Sequence, residues 1–149
     1  MSLIEQFQFN FLDDSRWQFI VSGLKNTIII TFFAVLLGVF LGFLIAIVRS
    51  THDKTGKLKI LNVICRVYLT VIRGTPTMVQ LLIVYYVIFA TVDPGKVIVA
   101  IIAFGMNSAA YVAEIVRSGI MSIDQGQFEA GRSLGLNYTQ TMTKIILPQ

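Results

Sequence analysis

Three long stretches of the sequence, residues 26–48, 74–92 and 97–113, contain no acidic, basic or histidine side chain. A helix needs about 20 apolar residues to cross a hydrocarbon core roughly 30 Å thick, so the first two stretches are long enough and the third is at the lower limit. Only 13% of all residues are charged, about half the share of an ordinary soluble domain. The sequence therefore predicts an all-α integral membrane protein and excludes disorder, nucleic-acid binding and a disulfide-rich secreted scaffold.

We predict spans over residues 19–48, 76–92 and 97–117 within one domain that covers residues 1–149. The short loop 49–59 after the first span is rich in basic residues and has one acidic residue, Asp53. Because short cytoplasmic loops are enriched in Lys and Arg, we expect this loop inside the cell and the N-terminus outside. Aromatic residues that we expect to anchor the N-terminal segment at the headgroup level are Phe7, Phe9, Phe11, Trp17 and Phe19.

Residues 58–72 form a separate element in this prediction, an amphipathic helix at the cytoplasmic interface. Lys59, Arg66 and Arg73 are spaced by sevens, which places them on one stripe of a helix. Thr75 followed by Pro76 then predicts an N-cap and a first helical residue for the next span. Arg66 and Arg73 either reach lipid headgroups or contact a partner or gate.

Glycines predict two further features. Gly38 and Gly42 are four residues apart and therefore lie on one face of the first span, where another helix can approach closely. The sequence 93–95, Asp93-Pro94-Gly95, predicts a tight external turn that leads into the third span.

Polar residues in the third span are candidates for a substrate pathway. Asn107 and Ser108 lie about ten residues into the span, roughly 15 Å along a helix and near the bilayer midplane, and Tyr111 follows one turn later. Polar groups at this depth usually face a pathway or a bundle interior, although an ordinary interhelical hydrogen bond explains them equally well. Glu114 and Arg117, three residues apart, are expected to pair on one face near the inner boundary.

Short helices with clear end signals follow the third span. Asp124 is a suitable N-cap for a helix over residues 125–134, and Gly135 suits the left-handed position after it. Asn137 is a suitable N-cap for a second helix over residues 138–146. We expect this helix–turn–helix on the cytoplasmic side.

We find no catalytic apparatus in the sequence. It contains no histidine cluster, no paired-carboxylate site and no phosphate-binding glycine-rich loop, and its single cysteine, Cys65, offers no cysteine-based metal site or internal disulfide. We therefore predict that the chain is not an enzyme, has no metal site and takes any energy from a partner.

One motif is specific. Glu129-Ala130-Gly131, then Gly135, and then Ile145, Leu147 and Pro148 reproduce the spacing of the EAA motif. The sequence thus resembles the membrane-spanning permease subunits of bacterial ABC importers, whose fold is the type I permease helical bundle. Gly131 stands where the motif has a second alanine, and we expect only a slightly less rigid helix from this difference.

Further motifs resemble the polar amino acid permeases, the histidine, glutamine and arginine uptake group. They are Gly23-Leu24, Thr27, Gly38, Gly42, Arg49, Arg73-Gly74-Thr75-Pro76, Gln80 and the run 108–120. The resemblance implies that the segment 122–144 couples the permease to an ATP-binding subunit through Glu129, Ala130, Gly131 and Gly135. The interface or gate candidates are Arg73, Thr75, Pro76, Glu114 and Arg117.

The resemblance also implies the surroundings of the chain. It implies a multi-pass protein of the bacterial inner membrane. The implied partners are a second permease subunit, an extracytoplasmic solute-binding protein, membrane lipid and a polar amino acid. ATP and Mg are expected to bind to the ATP-binding subunit alone. Such permeases usually have five spans, so we expect the chain to be truncated after three spans and the coupling loop. The alternative function is a non-transporting membrane anchor or signalling subunit that recruits a cytoplasmic partner.

Overall fold

The computed structural model describes residue 2 and residues 6–12, 15–92 and 94–149. These residues form helices joined by short connections and contain no strand. After a short π-helix at Gln8–Leu12, the helices are α1 (Trp17–Thr55), α2 (Lys59–Gly74), α3 (Thr77–Ile88), α4 (Lys96–Ser122), α5 (Gln125–Ser133) and α6 (138–146). The last turns of α3 and α6, Val84–Ile88 and Met142–Ile146, are π-helical.

Helix α1 is longer than the predicted span 19–48 and includes most of the predicted loop 49–59. Its 39 residues measure about 58 Å at 1.5 Å per residue, nearly twice the thickness of a hydrocarbon core. Nothing in residues 49–55 breaks a helix, so it continues to Gly56, whose φ of 69° lies in the left-handed region. The Gly56 N–H donates to the carbonyl of His52 at 2.8 Å. Of the basic residues assigned to this loop, Arg49 and Lys54 therefore lie on α1, and Lys59 is the first residue of α2.

Helices α1 and α4 pack closely along small residues. A Cβ added to Gly38 would lie 2.5 Å from Ser108 Oγ, and one added to Gly42 would lie 2.9 Å from the backbone carbonyl of Ala109. From the α4 side, a Cβ on Gly105 would lie 2.6 Å from the side chain of Leu37. The predicted glycine groove on α1 is therefore confirmed, and α4 occupies it.

The chain bends by 111° between α2 and α3. Helix α3 begins at Thr77, with Pro76 at the N-cap position in an extended conformation, so the prediction that Thr75 caps and Pro76 is the first helical residue was wrong. The Thr75 hydroxyl instead donates backwards to the carbonyl of Val71 at 2.7 Å.

Helix α3 is also shorter than the predicted span 76–92. It ends at Ile88, and its length of about 18 Å does not cross a hydrocarbon core by itself. Within the described part of the chain two helices, α1 and α4, are long and apolar enough to cross a membrane, and a third crossing requires α2 and α3 together.

Helix α4 begins at Lys96 and ends at Ser122, five residues beyond the predicted span 97–117. Gly95 has a φ of 88° at its start. Asp93 of the predicted turn lies outside the described residues, so the turn stays a prediction.

The end signals after α4 are confirmed. The Asp124 carboxylate accepts the backbone N–H of Gly126 at 2.6 Å, and α5 ends at Ser133, one residue before the predicted end. Gly135 has a φ of 77°, and its N–H donates to the carbonyl of Arg132. Asn137 begins α6 with a reciprocal capping box that includes Gln140. This segment is therefore specified by local hydrogen bonds.

Candidate functional site

Helix α5 is held against the rest of the chain by one apolar side chain. Phe128 is 5% exposed and belongs to a buried cluster with Ile120 at the end of α4 and Met142 and Ile146 of α6. Because Phe128 is the only large apolar residue within Gln125–Ser133, it fixes which face of α5 is inward.

Gly131 lies on the same inward face. A Cβ at this position would come within 2.8 Å of both Cγ2 and Oγ1 of Thr141, which is itself buried. The glycine that replaces the second alanine of the motif therefore permits contact between α5 and α6 of the same chain. This differs from the expectation of a merely less rigid helix.

Glu129 and Ala130 lie on the opposite, exposed face of α5. The four residues predicted to couple the chain to a partner therefore have three different structural roles. Glu129 and Ala130 are available to another molecule, Gly131 is used internally, and Gly135 forms the turn.

A cluster of four charged side chains connects α1, α2 and α4. The carboxylate of Glu114 lies 2.7 Å from Arg117, 3.1 Å from Arg49 and 3.5 Å from Arg73. The predicted pair of Glu114 and Arg117 is confirmed. Arg117 also reaches Asp53 at 3.1 Å, so the cluster continues to the C-terminal end of α1.

Beside this cluster lies an open cleft of about 510 Å³. Three guanidinium groups and one carboxylate line it, and Tyr111 forms part of its wall, with its ring centroid 5.9 Å from Arg73. Its lining residues are Arg49, Arg66, Leu69, Thr70, Arg73, Gly74, Tyr111 and Glu114. A cleft with both signs of charge and an excess of positive charge suits the carboxylate and ammonium groups of a zwitterion.

The structure does not bring the three predicted pathway residues together. Asn107 donates to Thr77 Oγ1 at 3.2 Å and to Gln80 Oε1 at 3.1 Å, which are ordinary interhelical hydrogen bonds. Ser108 points into the packed contact with Gly38. Of the three, only Tyr111 lines the charged cleft.

Gln80 connects these helices and was not predicted as a site residue. Its side-chain amide donates to the carbonyls of Ile72 at 2.7 Å and Thr75 at 3.0 Å, and to Thr75 Oγ1 at 2.8 Å. It thereby satisfies backbone carbonyls that the bend after α2 leaves without helical partners. A glutamine four residues after a proline inside an apolar stretch was the available signal.

Three other residues were missed by the sequence analysis of the site: Arg49, Asp53 and Phe128. Arg49 had been named only as part of the family resemblance and Asp53 only as a loop charge, because their partners are 65 and 64 residues away. Phe128 had a local signal, since it is the one large apolar residue in a polar helix.

Comparison with known proteins agrees with this architecture. The profile of the family described as the inner membrane component of binding-protein-dependent transport systems matches residues 34–149. The chain belongs to this family.

Curated relatives are named as amino acid permeases. The chain is 39% identical over 132 residues to the probable amino-acid ABC transporter permease protein YckA of Bacillus subtilis, which covers 88% of this chain and 56% of YckA. It is 36% identical to the arginine transport system permease protein ArgU of Corynebacterium glutamicum, over 94% of this chain and 46% of ArgU.

The fold also has a close counterpart among solved structures. The chain is similar to a crystal structure of an amino acid ABC transporter with histidines, with a TM-score of 0.78 and 34% identity. The match covers all of this chain and 64% of the other. The all-α permease fold is thus shown, and the chain spans about half the length of the curated relatives it matches.

Proposed function

We propose that this chain is part of the transmembrane permease of an ATP-driven importer of polar amino acids. The observation that carries the proposal is the exposed Glu129–Ala130 face of α5, fixed in place by Phe128 and Gly131 in a chain whose relatives are named as amino acid permeases. A short helix that is rigidly attached on one face and free on the other is suited to contact with a second protein.

In this proposal α5 is the coupling helix and docks on an ATP-binding subunit. That subunit binds ATP and Mg and hydrolyses the nucleotide, whereas this chain catalyses no reaction. A second permease subunit completes the pathway, and an external solute-binding protein delivers the substrate. The chain crosses the membrane more than once, with its N-terminus outside.

We assign the substrate pathway to the charged cleft. The guanidinium groups of Arg73 and Arg49 suit the substrate carboxylate, and Glu114 suits the ammonium group. Tyr111 supplies a partly apolar wall. Asn107 and Ser108 support this pathway indirectly, because their contacts hold α4 against α3 and α1.

The test replaces Glu129 by Lys in the complete transporter reconstituted in liposomes. We expect substrate uptake to fall at least about tenfold, with normal insertion in the membrane, because the new charge opposes the docking of α5. The measurement is ATP-dependent uptake of a labelled amino acid together with the ATPase rate. Gln127→Lys, which places the same lysine on the exposed flank of α5 but changes the charge by one unit instead of two, is the control for position.

Uptake and substrate-stimulated ATPase activity that both equal the wild type in Glu129→Lys would refute the assignment of α5. Asn107→Leu combined with Ser108→Ala, which adds no volume against Gly38, separates transport from anchoring: loss of uptake with retained capture of the ATP-binding subunit supports a permease. Retained ATP-dependent uptake in that variant would refute the supporting role of these two residues.

A further inference from the structure

The cytoplasmic end of α1 reaches the proposed coupling segment. Helix α1 is about 58 Å long, so its last turns, ending at Thr55, lie outside a hydrocarbon core of roughly 30 Å. Two side chains of these turns, Asp53 and Lys54, contact α4 and α5. This end of α1 therefore contacts α5 in addition to the chain connection and to the packing of Phe128 on Ile120 of α4.

Lys54 makes the contact with α5 itself. Its Nζ lies 4.4 Å from the centroid of the Phe128 ring. The Nζ atom is buried and has no hydrogen-bond partner among the described residues, so the ring face is the group that compensates its charge. Phe128 is in turn the residue that attaches α5 to α4 and α6. One side of the ring thus contacts the apolar cluster and the other contacts α1.

The neighbours of Lys54 fix the position of this contact. Asp53 pairs with Arg117 of α4 at 3.1 Å, and Lys54 lines a cleft of about 260 Å³ together with Tyr138 and Thr141 of α6. This turn of α1 therefore contacts α4 and α5 and lies beside α6. A displacement of α5 that carries Phe128 with it must change the contact with Lys54.

We propose that Lys54 is a positioning residue through which movement of the coupling helix α5 is passed to α1. The proposal rests on the proposed function, because it requires an ATP-binding subunit that moves α5. In the static protein the Lys54–Phe128 contact holds α5 at one angle to the membrane helices. During transport it joins α1 to the movement, and because α1 is packed against α4 along its glycines, both helices move together.

The test uses the complete transporter with its ATP-binding subunit and solute-binding protein in liposomes. Lys54→Met keeps the length and apolar character of the side chain and removes its charge. We expect ATP hydrolysed per amino acid imported to rise about threefold, with normal amounts of assembled complex and unchanged basal ATPase activity. Lys54→Arg, whose guanidinium also stacks on an aromatic ring, should restore the wild-type ratio. Lys57→Met, an exposed lysine in the following turn, is the matched control.

A second variant changes the other partner of the Lys54–Phe128 contact, which lies on α5. Phe128→Met fills much of the same apolar volume but removes the ring, and we expect a similar rise in the ratio. The double variant should be no worse than either single variant, because one interaction is lost in all three. A wild-type ratio in either single variant, or fully additive effects in the double variant, would overturn the proposal. A wild-type complex without ATP-dependent uptake would instead refute the proposed function.

Discussion

The α1–α4 pair is held together by different chemistry in its middle and at the C-terminal end of α1. In the middle of the pair, Gly38 and Gly42 allow backbone to touch backbone and side-chain carbon, with no charged group. Towards the C-terminal end of α1, Arg49 and Glu114 meet as an ion pair that is partly exposed to solvent. The difference teaches that the two regions should respond differently to substitution. The contact between small residues has no free space for a larger side chain, whereas the ion cluster depends on one carboxylate that several cations share.

The largest loss of stability is expected from filling the glycine contact between α1 and α4. Gly42→Leu places a side chain against the backbone carbonyl of Ala109 and against Val112, neither of which can withdraw. We expect a loss of about 3 kcal/mol in stability and little folded protein in the membrane. The measurement is the yield and thermal melting of the detergent-purified protein. Gly23→Leu on the same helix meets nothing within 4 Å and should melt like the wild type.

The ionic end should respond less strongly. Glu114→Gln leaves Arg49, Arg73 and Arg117 without their shared carboxylate, and we expect the stability to fall by about 2 kcal/mol. The loss is not larger because the side chain is partly exposed to solvent. Thermal melting and a double-mutant cycle with Arg49→Gln measure it. The expected coupling energy between Glu114 and Arg49 is about 1 kcal/mol, and it should be smaller in high salt. High salt should leave the effect of Gly42→Leu unchanged. Additive effects in the cycle would show that the two side chains do not interact.

The smallest effect concerns a glycine contact outside the membrane helices. Gly131→Ala brings a Cβ within 2.8 Å of Thr141, and we expect a loss of about 1 kcal/mol, partly offset by the better helix propensity of alanine. Thr141→Ala in the same chain should restore the stability by removing the contacted atoms. Gly119→Ala, with nothing within 4 Å, should be neutral or stabilising. Destabilisation by Gly131→Ala that persists beside Thr141→Ala would mean that another contact is responsible.

The features that could be predicted from the sequence are those with local causes. Asp124, Gly135 and Asn137 end or begin helices through bonds to residues at most a few positions away, and Glu114 and Arg117 are neighbours on one helix. Gly38 and Gly42 predicted a groove by their spacing, but the identity of its occupant depends on the fold.

The wrong predictions share a different cause. The end of α1 was misread because basic residues indicate the cytoplasmic side and do not distinguish a loop from a helix that continues out of the membrane. The start of α3 was misread because the hydroxyl of Thr75 can either cap the following helix or donate back to the preceding one. It donates back to the carbonyl of Val71, and it accepts the side-chain amide of Gln80. Asn107 with Gln80, 27 residues apart, and Arg49 with Glu114, 65 apart, are pairs that no local pattern reveals. The external N-terminus and the aromatic anchors stay predictions.

Gln80 has a consequence for how far the bend between α2 and α3 can flex. The bend frees the carbonyls of Ile72 and Thr75 from helical bonding, and both accept the side-chain amide of Gln80, at 2.7 and 3.0 Å. Gln80 belongs to α3, and its Oε1 accepts a hydrogen bond from the Asn107 side chain of α4. The amide therefore has little freedom to follow a movement of α2. Opening the bend by more than about an ångström would break these hydrogen bonds. The bend is therefore expected to resist opening as long as Gln80 keeps its contacts with α2 and with Asn107.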